Sequence, residues 1–442
     1  MDIKELAGKI KDIGVVGAGG AGFPTYAKLD ARAETILLNC AECEPLLKLH
    51  RQLLQRHAEK ILGTFSLLAD TVGAARGIVG IKAEYTQTIA ALKEHIGEFP
   101  KLSIHELPSA YPMGDEVVLI HEATGKTVRP GGLPIEAGVA VFNVETVYNI
   151  WRGLETGVPV VDKCVSVVGE VKNPVTVRVP LGLSMDEVVA LAGGATTPEP
   201  VYMVGGPMMG RIGKGSDPVT KTTNAILVLP PHHLLVERKQ AKMNIELNRA
   251  ASICCQCQAC TDLCPRHLLG HPIEPHLFMR SAANRDFQNT AVFMNTFFCC
   301  SCGVCELFSC PQGLSPRTLI TEYKNGLRKA GVKPPKDVEA APVSAARAYR
   351  EVPEHRLEAR VNLTKYDVPA PLNDEVVPAK KVRELLSQHI GAPAQAAVAV
   401  GERVARGQVI AQAAQGLSVP VHASIDGVVT EVTDRCIVIS GV

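Results

Sequence analysis

Eight cysteines in two short cassettes carry the strongest chemical signal in the chain. The first cassette, residues 254–265, places its ligand cysteines as C-x2-C-x2-C-x3-C-P. The second, residues 299–311, repeats this spacing with one extra residue before its last cysteine. In such spacing three thiolates bind one [4Fe–4S] cluster, and the fourth, before the proline, serves the neighbouring cluster. We therefore predict two clusters, with the ligand sets Cys254, Cys257, Cys260, Cys310 and Cys299, Cys302, Cys305, Cys264.

Two other interpretations of the cassettes are a pair of structural zinc sites and a disulfide framework. The chain has 14 cysteines, most of them in metal-ligand spacing, which favours a reducing compartment where thiols stay free. Cys255 and Cys300 each follow the first ligand of a cassette, and we interpret them as packing residues. Cys40 and Cys43 form a separate C-x-x-C, for which a redox pair is the alternative to a structural role.

The composition indicates an ordinary globular protein of several domains. Of 442 residues, 46% are hydrophobic and 21% charged, and the net charge of +1 gives no reason to expect nucleic acid as a partner. The N-terminus lacks the basic and apolar pattern of a signal peptide, and no apolar run is long enough to span a membrane. We therefore expect a cytoplasmic protein without a membrane span.

A glycine-rich run follows the first predicted helix, residues 2–12. Gly17, Gly19 and Gly22 fit G-x-G-x-x-G, but no full strand precedes them as a dinucleotide-binding turn of the Rossmann type requires. What remains is a loop whose backbone amides can approach a phosphate or a flat ring, beside the N-terminus of the helix that follows. A plain glycine-rich turn is the alternative.

The elements around this loop predict an α/β domain. A strand over 35–39 leads into a polar loop and a helix of about 20 residues from Leu46, and further strands are predicted at 77–81 and 139–143. In parallel sheets of this kind, ligands bind at the carboxyl ends of the strands. Residues 164–230 read as strands around one short helix, and short alternating strands with glycine turns follow Val377.

Several motifs resemble one known family. They are Gly17-x-Gly19-Gly20-Ala21-Gly22-Phe23-Pro24-Thr25 with Lys28, Asn39-x-x-Glu42-x-Glu44-Pro45, Gly114-Asp115-Glu116 and Asn143-Val144-Glu145-Thr146. They resemble the NADH- and FMN-binding domain of the complex I flavoprotein subunit and, more closely, RnfC-type electron-transport proteins. With this domain near residue 1 and no barrel before it, the chain most resembles the cobalamin reductases of propanediol-utilisation microcompartments (PduS type).

The resemblance implies a set of cofactor-binding residues. Those that would bind FMN are Gly17, Gly19, Gly20, Lys28, Asn39, Asp115, Asn143 and Thr146. Phe23 and Glu44 would contact NADH. Leu133 stands where the complex I family has an aromatic residue, so stacking on adenine is not expected there. No side chain is expected to act as a catalytic nucleophile or base, because the cofactors carry the redox chemistry.

The resemblance also implies the architecture. We expect a multidomain chain that combines an α/β domain, an SLBB β-grasp domain, a ferredoxin-like α-helical domain with two [4Fe–4S] clusters and an all-β barrel-sandwich hybrid. The predicted bounds are 1–158 for the NADH/FMN domain, 159–232 for the β-grasp, 245–330 for the cluster domain, 331–372 for a linker and 373–442 for the barrel. The lysine that carries biotin or lipoate in related barrels is absent near Gly416.

The function implied is electron transfer from NADH to FMN, to two [4Fe–4S] clusters and on to cob(III)alamin. The implied partners are a cobalamin adenosyltransferase and shell proteins, in the lumen of a bacterial microcompartment. Two alternatives stay open: an RnfC-type subunit of a membrane ion-pumping complex, and a microcompartment electron-transfer scaffold without its own NADH site.

Overall fold

The computed structural model describes residues 1–441, of which residues 1–158 form a layered α/β unit. Its elements are α1 (Ile3–Asp12), β1 (Thr35–Cys40), α2 (Leu49–Val72), β2 (Arg76–Lys82), α3 (Thr86–His95), β3 (Leu102–Leu107), β4 (Ala110–Tyr111), α4 (Glu116–Thr124), β5 (Val139–Asn143) and α5 (Val144–Thr156). Strands and helices alternate along the chain, which confirms the predicted α/β organisation.

The sheet of this unit has four parallel strands in the order β3-β2-β1-β5. Successive residues of β1 point to opposite faces: Ile36 packs with α2, α3 and α5 on one side, and Leu37 packs with α4 on the other. Because β2 and β3 lie on one side of β1 and β5 lies on the other, the strand order reverses between β1 and β5. Ligands of doubly wound sheets bind at such a reversal.

A β-grasp unit follows. Its elements are β6 (Asp162–Gly169), β7 (Val175–Pro180), α6 (Met185–Leu191), β8 (Val201–Val204), β9 (Arg211–Gly213) and β10 (Ala225–Leu229). The β6–β7 hairpin turns at Asn173 and Pro174, and β10 lies parallel to β6. Ser184 starts α6 with a capping box, in which its hydroxyl accepts from the Glu187 amide and the Glu187 carboxylate accepts from the Ser184 amide.

The cysteine cassettes belong to a helical unit. Its elements are α7 (Leu234–Gln240), α8 (Met243–Ile253), α9 (Ala259–Asp262), α10 (Pro265–Leu268), α11 (Pro275–Asn284), α12 (Thr290–Met294), a π-helical turn (Val304–Phe308) and α13 (Pro316–Lys329). Three of these helices begin with a proline in the first position, where the missing amide proton costs nothing. The rings of Phe278, Phe293 and Tyr323 form the centre of its core.

Residues 331–372, predicted as a linker, wrap around the other units. This part of the chain holds β11 (Val352–Pro353) and α14 (Glu354–Arg360), and β12 (Leu372–Val376) follows. β11 pairs with β4 of the α/β unit, and β12 pairs with β7 to give a sheet in the order β12-β7-β6-β10-β8-β9. The boundary predicted at residue 373 therefore falls inside a strand of the β-grasp sheet.

The last unit is a small barrel of two sheets. Its strands are β13 (Lys381–Leu385), β14 (Gln395–Ala396), β15 (Arg403–Val404), β16 (Val409–Gln412), β17 (Val421–His422), β18 (Gly427–Val432) and β19 (Cys436–Gly441). Its turn at Gly416 packs on the α/β unit, where the Tyr26 hydroxyl donates to the Gly416 carbonyl oxygen at 3.3 Å. Within residues 1–441, no helix combines the length and apolar composition that crossing a bilayer requires.

Candidate functional site

A cleft of about 540 Å³ opens at the carboxyl edge of the α/β sheet, next to the strand reversal. It contains Gly17, Gly19, Gly20, Phe23, Lys28, Asn39, Asn143 and Thr146, which are eight of the ten residues predicted to bind FMN or NADH. These positions are spread from residue 17 to residue 146 of the sequence, and the parallel strands bring them to one edge.

The glycine run forms a closed loop on one side of the cleft. Val16 and Pro24 pair across its base, and the Gly17 amide donates to the Phe23 carbonyl oxygen at 2.9 Å. The Ala18 amide donates to the Thr146 hydroxyl at 2.9 Å, which fixes the loop to the first turn of α5. No full strand precedes the loop, so the structure agrees with the rejection of a Rossmann turn.

The glycines of this loop have separate tasks. A side chain on Gly19 would collide with the Asn143 amide, whereas a β-carbon on Gly20 would meet nothing within 4 Å and would project into open space. Gly22 adopts φ of +74° and packs against Thr222 and His389 of the neighbouring units. The bare backbone at Gly20 is therefore the part of the loop that a flat or anionic ligand can approach closely.

The ends of β1 and β5 form the floor of the cleft. Asn39 and Asn143 are register partners across these two strands. The Asn143 carboxamide caps α5 by accepting from the Glu145 and Thr146 amides, at 2.9 and 3.3 Å. The amino end of α5 thus faces the cleft, and it favours a negative charge there. From the sequence, we expect the helix after the glycine loop to favour a negative charge in this way. That segment is instead a short 3₁₀ turn, Thr25–Lys28.

The cleft contains groups suited to an anionic cofactor. The Lys28 ammonium donates to the Val141 carbonyl oxygen at 2.9 Å and lies 3.5 Å from the Glu116 carboxylate. The Thr25 hydroxyl, on the cleft wall, is buried without a hydrogen-bond partner among residues 1–441. A buried hydroxyl without a partner costs free energy, so a ligand that binds it would offset that cost. These features fit the phosphate and ring of a flavin nucleotide.

Two predicted site residues do not lie in the cleft. The Asp115 carboxylate caps α4 and accepts from the Arg266 guanidinium at 2.8 Å. The Glu44 carboxylate accepts from the Met208 and Met209 amides, each at 2.9 Å. Both side chains point to the neighbouring units, because each satisfies backbone or guanidinium donors there. In this structure both carboxylates make contacts between units, and the contacts of Asp115 with FMN and of Glu44 with NADH stay predictions.

The cleft also contains residues that the sequence motifs do not mark as ligands. Asp30 and Arg32 form an ion pair at 2.6 Å on its rim, Leu133 is 62% exposed, and Ile390 reaches the cleft from the barrel. Leu133 stands out in the sequence only as a departure from the family pattern. Ile390 lies 244 positions beyond the nearest other cleft residue (390 − 146), and no local motif identifies it.

The structure groups the eight predicted cluster ligands around two small cavities. One is lined by Cys254, Cys257, Cys260 and Cys310. The other is lined by Cys264, Cys299, Cys302 and Cys305. Each cavity thus takes three cysteines from one cassette and the last cysteine from the other, as the prediction grouped them.

The cassettes repeat in backbone conformation as well as in sequence. Gln256 and Gln258 of the first have positive φ angles of 56° and 64°, and their counterparts 45 positions later (256 + 45 and 258 + 45), Ser301 and Gly303, have 60° and 85°. These left-handed residues curl each loop around its cavity. The extra residue of the second cassette is absorbed by the π-helical turn Val304–Phe308, since one inserted residue widens a helical turn in this way.

The surroundings of the sulfurs suit iron–sulfur clusters. The Ser301 amide lies 3.3 Å from the Cys299 sulfur, and the Leu314 amide lies 3.3 Å from the Cys310 sulfur. Such N–H···S bonds help to set cluster potentials.

The alternatives to clusters fit less well. Zinc requires its ligand sulfurs about 2.3 Å from one point. Within residues 1–441, no three histidine, cysteine or acidic side chains converge enough to hold a single metal ion. All 14 cysteines are free thiols, which excludes a disulfide framework in this structure. Cys255 is exposed, so the packing role predicted for it is wrong, while Cys300 packs in a core as predicted.

Cys40 and Cys43 do not form a redox pair. Cys40 is buried at the end of β1, and burial raises the pKa of the Cys43 thiol to about 12. A buried thiol with a raised pKa is a poor nucleophile. The structural role is therefore the better interpretation of this C-x-x-C.

Four family models match the chain one after another. They are the Nuo51 FMN-binding domain over residues 10–152, the SLBB domain over 164–212, the 4Fe-4S dicluster domain over 253–315 and the RnfC barrel sandwich hybrid domain over 370–441. The α/β, β-grasp, cluster-binding and barrel classes predicted from the sequence are thereby confirmed. A solved NAD+-reducing [NiFe]-hydrogenase shares the fold, with a TM-score of 0.50, 21% identity and coverage of 83% of this chain and 68% of that one.

Curated relatives match over the full length or over part of it. A component of the Na(+)-translocating ferredoxin:NAD(+) oxidoreductase complex of Acetobacterium woodii is 35% identical over 61% of this chain and 59% of its own length. The cobalamin reductase PduS of Citrobacter freundii is 41% identical over 99% of this chain and 97% of its own. That of Salmonella typhimurium is 42% identical over 98% and 96%. The chain therefore belongs to the PduS cobalamin reductase family of flavin and iron–sulfur oxidoreductases.

Proposed function

We propose that the chain oxidises NADH and passes the electrons through FMN and two [4Fe–4S] clusters to cob(III)alamin. The observation that carries this proposal is that one short segment, residues 111–114, contacts both the cleft and the second cysteine set. Gly114 lines the cleft, and Tyr111, three residues earlier (114 − 111), donates its hydroxyl to the Cys302 carbonyl oxygen at 2.7 Å. A flavin in the cleft and a cluster at Cys302 would lie on either side of this segment.

The cleft residues hold and orient the two nucleotides in this proposal. Gly17, Gly19, Gly20 and Thr146 offer the loop and the amino end of α5 to the FMN phosphate and ring, while Lys28 balances negative charge. Asn39 and Asn143 fix the loops through their own hydrogen bonds, with Asn39 donating to the Gly114 carbonyl oxygen at 2.9 Å. Bound FMN exchanges a hydride with a nicotinamide and single electrons with metal centres.

Phe23 is proposed to position the nicotinamide of NADH. It lies on the cleft wall, which also carries the exposed side chain of Leu133, and the apolar space beside them suits a flat ring. By excluding water, these side chains would leave the face of the flavin free for the nicotinamide ring. Glu44 acts at a distance in this proposal, since its contacts with the Met208 and Met209 amides hold the β-grasp unit against the α/β unit.

The eight cysteines would hold the two clusters in the sets already grouped by the two cavities. Cobalamin enters the proposal through the full-length similarity to cobalamin reductases. A cobalamin adenosyltransferase as partner and residence in a microcompartment lumen with shell proteins belong to the same proposal, since the product of the reaction is what an adenosyltransferase consumes.

The proposal is tested by anaerobic purification, followed by quantitation of FMN, iron and sulfide and by mixing with NADH. About one FMN and about eight irons per chain are expected, with NADH bleaching the flavin and cluster absorbance. Added aquacob(III)alamin should then reoxidise the chain. Zinc in place of iron would contradict the cluster assignment, and flavin that NADH leaves oxidised would favour the electron-transfer scaffold.

A Phe23→Leu variant separates the nicotinamide contact from flavin binding. We expect a higher KM for NADH with unchanged FMN content, because the side chain lies on the cleft wall and outside the backbone cradle at Gly20. Phe99→Leu, at a partly buried position beside α2 and remote from the cleft, is the matched control and should leave KM unchanged. Loss of FMN in Phe23→Leu alone would show that Phe23 contacts the flavin.

A further inference from the structure

The second cysteine set, which takes Cys264 from the end of the first cassette, is tied to the cleft by a buried ion pair. Arg266 follows the ligand Cys264 by two positions, lines the cavity of the second cysteine set and donates to Asp115 at 2.8 Å. Asp115 stands between Gly114 and Glu116, both of which line the cleft. Because the pair is nearly buried at both ends, with side chains 17% and 12% exposed, it fixes the distance between the two sites.

A second contact joins the same two sites. A side chain on Gly131 would meet the Phe298 ring at 3.3 Å, and Phe298 directly precedes the ligand Cys299. Gly131 lies two positions before Leu133 of the cleft. Under the proposed function, the second cysteine set is therefore the one that takes electrons from the cleft.

The first cassette lies at the molecular surface instead. Cys255, Gln256, Cys257 and Gln258 are all exposed, and Ile253, just before them, is 43% exposed. In the second cassette the ligands Cys302 and Cys305 are 8% and 7% exposed. An acceptor that cannot enter the protein can approach only the first set closely.

The exposed rim of the first set is rich in carboxamides, with arginines beside it: the Gly313 carbonyl oxygen accepts from Arg249 at 3.2 Å, and the Cys310 carbonyl oxygen accepts from Arg360 at 3.4 Å. Gln256, Gln258 and Gln312 line its cavity together with apolar side chains that include Met279 and Leu314. Among the residues that line it, all within the described part of the chain, there is no aspartate, glutamate, lysine or arginine. A carboxamide both donates and accepts hydrogen bonds without carrying a charge of its own.

We propose that this rim, formed by Gln256, Gln258 and Gln312 over the first cysteine set, is the docking site for the corrin ring of the cobalamin acceptor. A corrin presents apolar faces and a border of neutral amide side chains, which the three glutamines match as donors and acceptors. Two aquacob(III)alamins take one electron each from one NADH, giving two cob(II)alamins, two released waters, NAD+ and a proton. The inference rests on the proposed function, since it locates the acceptor of that reaction.

The test compares Gln312→Trp with the wild-type chain in the anaerobic NADH-dependent reduction of aquacob(III)alamin. Gln312 is exposed and outside the left-handed positions, so tryptophan is tolerated there and covers the rim. We expect the KM for aquacob(III)alamin to rise about tenfold, the equivalent of about 1.4 kcal/mol. Ferricyanide reduction and the NADH-driven bleaching of flavin and clusters should stay unchanged. Gln87→Trp, at an exposed position of α3, is the matched control.

The iron content and dithionite-reduced spectrum of each variant establish that both clusters are intact. If Gln312→Trp loses iron, the KM measurement is made on Gln258→Glu instead. This variant should also raise the KM for aquacob(III)alamin, because the corrin would have to desolvate a carboxylate on the rim. An unchanged KM for aquacob(III)alamin in an iron-replete variant overturns the docking site. A wild-type chain that, once reduced, passes no electrons to aquacob(III)alamin overturns the proposed function instead, so the two failures are distinguishable.

Discussion

The two cysteine cassettes are near-repeats in sequence but occupy opposite situations in the structure. The first forms an exposed loop before α9, whereas the second is mostly buried, contains the π-helical turn and is held by the Tyr111 hydroxyl. The spacing of the ligands is governed by cluster geometry and so is shared. The surroundings are governed by what each cassette packs against, and under the proposed function this difference sets the order in which the two cysteine sets carry electrons.

The largest effect is expected from removing one ligand in each cassette. In Cys302→Ser, NADH should reduce the flavin but not the remaining first-set cluster, because the connection to the cleft is lost. In Cys257→Ser, NADH should still reduce the second-set cluster while cobalamin reduction is lost. Electron paramagnetic resonance after NADH, and then after dithionite, distinguishes the two variants. If NADH reduces the remaining cluster in Cys302→Ser, the two sets are not in series as inferred.

A smaller effect is expected at the residue that follows the third ligand of each cassette. In the second cassette this is Glu306, whose buried carboxylate accepts from Arg317 at 2.9 Å. Arg317→Met should lower the free energy of unfolding by about 3 kcal/mol, since an unpaired buried carboxylate remains. Anaerobic urea denaturation of the cluster-loaded chain measures this loss.

The counterpart in the first cassette is Thr261, whose hydroxyl pairs with the His276 ring at 2.8 Å. The same hydroxyl accepts from the His276 amide at 3.0 Å, so Thr261→Val loses two neutral hydrogen bonds and should cost about 2 kcal/mol. Equal losses in the two variants would contradict the view that the second cassette is the more tightly built.

The pH dependence of stability should also reflect the packing near the second cassette. Burial raises the pKa of Glu44 to about 7, above its ordinary value of 4.5, despite the two amides that it accepts from. The folded chain therefore holds a proton that the unfolded chain releases, and this group's contribution falls as pH rises from 4.5 through 7. In Glu44→Gln, the free energy of unfolding should no longer fall over this pH range, as measured by urea denaturation at about pH 5, 6 and 8. If it falls as in the wild-type chain, another group is responsible for the decline.

The smallest effect concerns iron release. An anaerobic chelator should remove about half of the iron in a phase that is several-fold faster than the rest, because the first set is exposed and the second buried. The absorbance of the chelator complex measures both phases, and the cluster spectrum of Cys257→Ser assigns them. A single phase for all the iron would show that exposure does not distinguish the two sets.

The amino-acid sequence was enough to predict which cysteines share a cavity and most of the residues that line the cleft. Eight cysteines in fixed spacing leave few ways to surround two clusters, and the grouping by cavity repeats the grouping by sequence. The glycine loop was found from its motif, and Lys28, Asn39 and Asn143 from the resemblance to a known family; Asn39 and Asn143 meet because parallel strands bring their carboxyl ends to one edge. These features are local, or follow from one rule of sheet topology.

The contacts between units emerged only with the folded chain. Asp115 and Glu44 lie in motifs associated with nucleotide binding, yet their carboxylates are used by donors from other units, Arg266 and the Met208 and Met209 amides. Ile390 reaches the cleft from the barrel, and β12 joins the β-grasp sheet. Such contacts depend on how the surfaces of whole units pack against each other. No short motif in the sequence reveals that packing.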